Sequence, residues 1–251
     1  MPSWKPAVAS AFDRAEGYEA AAATQAIVAD RLAATILRQD LPPVPRVLEI
    51  GCGTGLLTRR LREAFPASPL LVTDLAPAMV ARCRARMPDE TTRFLVMDAE
   101  RPCLRPGFDL VASSLAAQWF EDLPGTVRAL SGLLAPRGLL AVTTLAAGTF
   151  REWAEAHAGE GLASATPAYP SGDGLTALAC EGCAVAVSVA PVVEAHADGR
   201  AFLRSLRAIG AATPGADRSL TPGALRRVLR RFDAGGARVT YEVATLLIRR
   251  R

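Results

Sequence analysis

Residues 47–55, VLEIGCGTG, decide the fold that we predict for this chain. The first four residues form a short apolar run that is typical of a buried strand, and glycines after it allow the backbone to turn sharply. Leucines at positions 56, 57 and 61 then recur at helical spacing. The segment therefore predicts a strand, a tight glycine turn and a helix.

The same alternation continues toward the C-terminus. Strands are predicted at 70–73, 93–97, 108–113 and 139–145, with helices at 77–87 and 124–134, and alternating valines predict two further strands near 185–189 and 239–243. Strands that alternate with helices are typical of a parallel sheet with helices on both faces. We expect a doubly wound α/β fold with a mostly parallel, seven-stranded sheet.

Two segments lie outside this alternation. A first helix is predicted at 17–38, and we interpret residues 1–40 as an N-terminal helical lid. The pattern loosens between 148 and 182, which is too long for an ordinary connection, so we expect a helical insertion over the active edge of the sheet. The whole chain, 1–251, is interpreted as one domain.

Composition limits the class of protein. The chain has 251 residues, 50% of them hydrophobic, which is enough for a substantial core. No run approaches the roughly 18 apolar residues of a membrane span, so we expect a soluble, cytoplasmic protein without a membrane partner. We also expect a monomer. The five cysteines are scattered, and only Cys180 and Cys183 have metal-like spacing. Because a second such pair is missing and neither histidine lies close by in sequence, we expect no metal site.

Charged residues near the glycine turn indicate the kind of ligand. Asp74 ends the second predicted strand, where a carboxylate can accept both hydroxyl hydrogens of a ribose. The glycine spacing is G-x-G-x-G, which differs from the G-x-G-x-x-G of a dinucleotide site. Glu49 would repel a pyrophosphate but would suit an ammonium and a sulfonium. Charge therefore favours S-adenosylmethionine over NAD.

Three ordered motifs resemble those of the class I S-adenosylmethionine-dependent methyltransferases, which have a Rossmann-like fold: the glycine turn, TDLAPAM at 73–79 and VMDAE at 96–100. The resemblance implies that Glu49, Gly51, Gly53 and Gly55 bound the methionine part of the cofactor. It also implies that Asp74 binds the ribose and that Asp98 and Ala99 bind the adenine edge. The predicted cofactor site is completed by Leu75, Met79, Ser114 and Trp119, although Trp119 has core packing as an alternative.

Nearly the whole chain is similar to the malonyl-acyl-carrier-protein O-methyltransferase family of biotin synthesis. The matching segments are FDRA at 12–15, LAAQW at 115–119, TFRE at 149–152 and FLRSLRAIGA at 202–211. The resemblance implies methylation of the free carboxylate of a malonyl thioester, carried by acyl-carrier protein or by coenzyme A. A methyltransferase of another small acid or a quinone-like acceptor, and a non-catalytic cofactor-binding scaffold, are the alternatives.

Such a reaction needs no general base, because a carboxylate is already ionised near neutral pH. A cation should hold the acceptor carboxylate, and the planar fork of arginine fits its two oxygens. We predict this role for Arg151 or Arg204, for which a surface position is the alternative. Tyr18 is predicted to contact cofactor or substrate, or else to pack in the core. Arg207 departs from the lysine that the resemblance leads us to expect.

Positive charge is concentrated at the C-terminal end. Residues 200–251 contain 12 basic and 3 acidic side chains, whereas residues 1–199 contain 17 basic and 22 acidic ones. Two predicted helices carry the basic residues Arg200, Arg204 and Arg207, and a cluster at 226–231. We expect an acidic carrier protein to dock here, with solvated helix faces as the alternative. No nucleic-acid motif is present in the sequence, and we expect no such partner.

Overall fold

The computed structural model of the chain describes residues 5, 10, 22–87, 91–178, 181–208 and 220–251. The strands in this part of the chain are β1 (Val47–Ile50), β2 (Leu70–Asp74), β3 (Thr92–Val96), β4 (Phe108–Ser114), β5 (Leu134–Leu145), β6 (Cys183–Ala195) and β7 (Arg238–Arg250). The α-helices are α1 (Ala23–Ile36), α2 (Leu56–Ala64), α3 (Pro77–Arg86), α4 (Leu123–Gly132), α5 (Arg151–Ala158), α6 (Gly172–Thr176), α7 (Gly199–Ala208) and α8 (Pro222–Ala234). Within these residues, no helix is both long and apolar enough to cross a membrane.

The described strands form one seven-stranded sheet with the order β3-β2-β1-β4-β5-β7-β6. The pairs from β3 to β5 are parallel, and β7 runs antiparallel to both of its neighbours. The prediction of a doubly wound, mostly parallel sheet is therefore confirmed. Ile50 at the end of β1 pairs with Thr73 of β2 and Ser113 of β4, so the loops after these strands leave the sheet at one edge.

The central strands are buried because helices cover both faces of the sheet. On one face, Leu32 and Ile36 of α1 pack with Leu57 and Leu61 of α2. The core of the opposite face contains α4, through Val127 and other apolar side chains. A third apolar cluster joins α5, α7 and α8 to the strand β7. These last helices form a separate layer beside the sheet.

Several predicted boundaries were wrong. In the described part of the chain the first helix spans 23–36, whereas residues 17–21 of the prediction lie outside the described residues. The helix predicted at 124–134 ends at Gly132, since Leu134 already pairs with Phe108 as the first residue of β5. Arg137 has φ +62°, and the register shifts between Phe108 and Leu110, so β5 begins with an irregular segment that hides its strand pattern.

The segment 148–182 is only partly helical. It contains α5 and the one-and-a-half-turn α6, but residues 162–171 between them have no regular structure. Pro167 and Pro170 lack the backbone N–H that a helix needs, which explains the interruption. We retain the interpretation of this segment as an insertion into a single domain, and of residues 1–40 as a lid segment, as predictions.

Candidate functional site

A cavity of about 920 Å³ lies at the edge where β1, β2 and β4 end. The loops after these strands form one side, and residues of α5, α7 and the segment 163–169 form the other. The cavity is lined by most of the residues predicted for the cofactor: Glu49, Gly51, Gly53, Asp74, Leu75, Met79, Asp98, Ala99, Ser114 and Trp119. The structure therefore brings together side chains that are far apart in sequence.

The glycine turn follows β1 in a conformation that disfavours other residues. Gly51 has φ +69° and Gly53 has φ +52°. A Cβ on Gly51 would lie 2.4 Å from the Cβ of Ala116, in the loop after β4. Glycine is needed here because the two loops touch, and their contact forms the floor of the cavity.

Gly55 differs from the other two glycines. It is the N-cap of α2 with φ +94°, and it does not line the cavity. A Cβ at this position would lie 3.0 Å from Cys83 Sγ. Gly55 thus permits the turn and the packing of α3, and the expectation that it bounds the methionine part of the cofactor stays a prediction.

Glu49 is an ionisable side chain in the buried wall of the cavity. It is 1% exposed, and its Oε2 atom has no hydrogen-bond partner among the described residues. Burial raises the pKa of the Glu49 carboxyl well above its ordinary value, and hydrogen bonds from Thr58 offset part of this effect. A buried carboxylate of this kind is stabilised by a cation placed in the cavity.

Asp74 ends β2 beside the glycine turn. Its Oδ2 accepts a hydrogen bond from Gly53 N at 2.9 Å, and its Oδ1 accepts one from Ala76 N at 2.8 Å. These two backbone bonds fix the orientation of the carboxylate. Because each carboxylate oxygen can accept more than one hydrogen bond, a ribose diol fits the same group.

Asp98 has a charged neighbour that the sequence did not predict. Lys5 Nζ lies 2.7 Å from Asp98 Oδ2 and also contacts Glu100, and Lys5 lines the cavity. Burial lowers the pKa of Lys5, but its hydrogen bonds to Asp98 and Glu100 outweigh that effect, so the pKa is raised. Lys5 is therefore a protonated link between the N-terminal segment and the predicted adenine end of the cavity.

Further polar atoms in the cavity wall lack partners within the described residues. They are Gln25 Oε1, Thr54 Oγ1 and Gln118 Oε1. Buried polar atoms without hydrogen bonds are costly, so an unpartnered group here indicates a polar ligand. Together with the acidic Glu49 and the narrow glycine turn, this wall fits the S-adenosylmethionine expected from the sequence.

The opposite side of the cavity is aromatic. The Phe150 ring lies 4.9 Å from that of Tyr241 and 5.5 Å from that of Phe202, and the Trp153 ring lies 5.5 Å from Phe202. All four residues line the cavity. Phe150 has φ +62°, a strained conformation that places it at the start of α5. This wall can exclude water from the space above the cofactor residues.

Two polar side chains of the insertion also line the cavity, although no sequence pattern indicated a role for them. Burial raises the pKa of Tyr169 to about 12, so its phenol is neutral and can donate a hydrogen bond. His157 is 3% exposed, and its Nδ1 donates to the Trp153 carbonyl at 2.8 Å. The only sequence signal for these residues was their position in the predicted insertion.

The arginines predicted to hold the acceptor lie elsewhere. Arg151 does not line the cavity, and its half-exposed guanidinium pairs with Glu242 Oε1 at 2.5 Å. Arg204 lines a second, outer groove. The arginine that reaches the cavity within the described residues is Arg207, one turn beyond Arg204 on α7. Of the three arginines, the cavity is thus lined by Arg207 and not by Arg151 or Arg204, and the role predicted for the latter two stays a prediction.

Two further residues singled out from the sequence, Tyr18 and Cys180, belong to parts of the chain that are not described. Tyr18 lies outside the described residues, so its contact with cofactor or substrate stays a prediction. Cys180 also lies outside them, while Cys183 begins β6. In the described ranges, no three His, Cys, Asp or Glu residues are grouped so that they could hold a metal ion.

Comparisons with known proteins agree with this geometry. Residues 48–142 match the family model described as a methyltransferase domain. The chain is 42% identical over 237 residues to a malonyl-acyl-carrier-protein O-methyltransferase of Magnetococcus marinus, covering 92% of this chain and 88% of the relative. It is 43% identical over 240 residues to the biotin biosynthesis bifunctional protein BioCD of Bordetella avium, covering 94% of this chain and 51% of that protein.

A likeness to solved structures supports the fold. The YcgJ protein of Bacillus subtilis superposes with a TM-score of 0.62, covering 88% of this chain and 99% of that one. The two sequences are 14% identical, so this likeness concerns architecture only.

Proposed function

The chain belongs to the malonyl-acyl-carrier-protein O-methyltransferase family, and from this premise we propose that its cavity methylates the free carboxylate of a malonyl thioester. The observation that carries the proposal is one cavity with a buried acidic wall at Glu49 and a cationic side chain, Arg207, on the opposite side. The acidic wall suits the positively charged methyl donor, and the arginine suits the anionic acceptor.

S-adenosylmethionine is the methyl donor, and it supplies an electrophilic methyl group on a positively charged sulfur. The residues that would hold it are Glu49 at the ammonium and sulfonium end, Asp74 at the ribose and Asp98 at the adenine edge. Gly51 and Gly53 let the backbone approach the ligand without an intruding Cβ. These assignments follow the order in which the residues line the sheet edge.

The malonyl carboxylate attacks without help from a base, since it is ionised at neutral pH. The task of the protein is therefore to hold the carboxylate in line with the methyl group. Arg207 supplies a planar cationic fork, and the neutral phenol of Tyr169 can donate a further hydrogen bond to the acceptor. His157 is not required to remove a proton in this reaction.

The aromatic wall contributes by excluding water. Opposite charges disappear as the ester forms, so water would stabilise the reactants more than the transition state. Phe150, Trp153 and Phe202 are each less than 10% exposed and line the cavity. A dry cavity should therefore raise the rate of transfer.

The product is a malonyl methyl ester for the start of biotin synthesis, consistent with the biotin biosynthesis name of the Bordetella relative. Esterification removes the negative charge, so a chain-extending enzyme can treat the masked group as an apolar primer. We propose that the chain acts as a monomer in the cytoplasm, and the proposed donor and acceptor residues, Glu49 and Arg207, line one cavity of the same chain.

The test is transfer of a tritiated methyl group from S-adenosylmethionine to malonyl-acyl-carrier protein. We expect label on the carrier protein that mild alkali releases, because a methyl ester is hydrolysed under these conditions. Acetyl-acyl-carrier protein, which has no free carboxylate, should remain unlabelled. The Asp74→Ala variant should lose the labelling because the ribose contact is removed.

Label that resists alkali would indicate a carbon or nitrogen acceptor and would contradict the proposal. Binding of the donor without any transfer to the malonyl thioester would instead favour the non-catalytic scaffold.

A further inference from the structure

A second groove, of about 440 Å³, opens between α7 and α8 on the outer surface. Its apolar floor includes Leu203, Leu225 and Leu229. Leu203 and the nearby Arg207 line both this groove and the main cavity. The groove and the main cavity are therefore neighbours, with Leu203 and Arg207 between them. We call it the α7–α8 groove.

Arginines surround the apolar floor of the α7–α8 groove. Arg200, Arg204 and Arg207 lie on α7, and Arg226 lies on α8. All four are exposed, and none forms an ion pair with an acidic side chain in the described part of the chain. No acidic residue lines the groove among the described residues.

Other arginines on the surface do form ion pairs with acidic side chains. Arg227, adjacent to Arg226, pairs with Glu160 at 2.9 Å, and Arg60 pairs with Asp30 at 2.6 Å. A local concentration of positive charge without acidic neighbours creates a positive potential that attracts an anionic partner. The groove has the charge and shape of a surface for an acidic partner.

We propose that the α7–α8 groove docks the acidic carrier protein and admits its prosthetic arm, so that the malonyl thioester enters the cavity past Leu203 and Arg207. This inference rests on the proposed function and names the entry route of its substrate. The arm is a slender chain with one phosphate at its protein end. Its apolar part suits the leucine floor, and the phosphate suits the arginine rim.

The test compares two forms of the same acceptor. Malonyl-carrier protein presents the whole docking surface, whereas malonyl-pantetheine presents the thioester without the protein or its phosphate. The variant is Arg200→Glu combined with Arg226→Glu, which reverses charge on both sides of the groove without touching Arg207. The matched control is Arg230→Glu, one turn beyond Arg226 on the same exposed side of α8 but outside the groove.

At low ionic strength we expect the double variant to lower kcat/KM for malonyl-carrier protein by about tenfold or more, because rim charges govern the rate of encounter. For malonyl-pantetheine the change should stay within about twofold, since that acceptor does not use the rim. The wild-type rate with carrier protein should fall as salt is added, and the variant should show a weaker dependence. Thermal unfolding of each variant shows that the fold is retained.

Three outcomes would overturn the docking proposal while leaving methyl transfer intact. The double variant could keep full activity with malonyl-carrier protein, or it could lose activity equally with both acceptors. Arg230→Glu could also reduce carrier-protein activity as much as the groove variant does. By contrast, a wild-type enzyme that methylates neither acceptor would refute the proposed function itself.

Discussion

The two sides of the cavity are built in different ways. The cofactor side consists of loops that leave neighbouring strands at one edge. Its acidic residues are Glu49 of β1, just before the glycine turn, and Asp74, the last residue of β2. The acceptor side consists of helices and an irregular segment, and it contributes Arg207, Tyr169 and aromatic rings. The first side is shaped by backbone conformation, whereas the second is shaped by which side chains face inward.

The largest change in kinetics is predicted for the acceptor side. We expect Arg207→Ala to raise KM for malonyl-pantetheine about 30-fold, because a charged hydrogen-bonding partner of the acceptor carboxylate is lost. The dissociation constant of S-adenosylmethionine should change little, since Arg207 is on the opposite wall. Steady-state kinetics and calorimetry measure the two quantities separately.

Arg151→Ala and Arg204→Ala provide the comparison, because the sequence predicted this role for those two arginines. With malonyl-pantetheine both should keep a KM close to the wild-type value, and Arg207→Lys should recover part of the loss. If Arg151→Ala or Arg204→Ala gave the larger rise, the sequence prediction would be correct and the assignment from the structure would fail.

The difference between the two sides explains what could be predicted from the sequence. The strands, their parallel arrangement and most of the residues that line the cavity at the strand ends were predicted because each signal is local, as in the glycine turn and the acid at the end of β2. Arg207 was missed because Arg204 is only three residues away on α7, and a sequence pattern alone does not fix which side of the helix meets the cavity. Tyr169 was missed because the segment that holds it has no periodic pattern.

The boundaries that failed also have a physical reason. Phe108 pairs with Leu134, and five residues later the register resumes with Leu139, so the start of β5 does not alternate regularly. Lys5 was overlooked because its role depends on Asp98 and Glu100, more than 90 residues away in sequence. Long-range pairing of single side chains leaves no periodic signal.

An intermediate effect is expected at Glu49, on the cofactor side. Glu49→Gln should weaken S-adenosylmethionine binding about tenfold, because a charged hydrogen-bond acceptor is lost. The same change should stabilise the ligand-free protein at neutral and alkaline pH, because it removes a buried carboxylate that lacks a full set of partners. Calorimetry measures the affinity, and thermal unfolding measures the stability.

The pH dependence follows from the raised pKa of Glu49 in the folded protein. Such a group favours folding below its unfolded pKa of about 4.3, and this contribution is lost as the pH rises through the folded pKa. The stability gap between Glu49→Gln and wild type should therefore grow with pH. Glu63→Gln, at an exposed carboxylate, should show neither effect. A variant that is less stable than wild type at pH 8 would contradict this account of the acidic wall.

The smallest effect is expected at Lys5, where the N-terminal segment meets the cofactor side. Lys5→Met keeps the length of the side chain but removes the charge that bridges Asp98 and Glu100. The two carboxylates would then repel each other, and the segment would lose its ionic link to the cavity. We expect the dissociation constant of S-adenosylmethionine to rise about threefold, since a partly exposed ion pair contributes modestly.

Salt separates this contribution from a change in packing. In wild type, added salt should weaken the Lys5 link and bring the affinity closer to that of Lys5→Met, because partly exposed charges are screened. Arg59→Met, which removes an exposed pair with Glu63 away from the cavity, should leave affinity unchanged at every salt concentration. If Lys5→Met bound the cofactor more tightly, Lys5 would be competing with the adenine for Asp98.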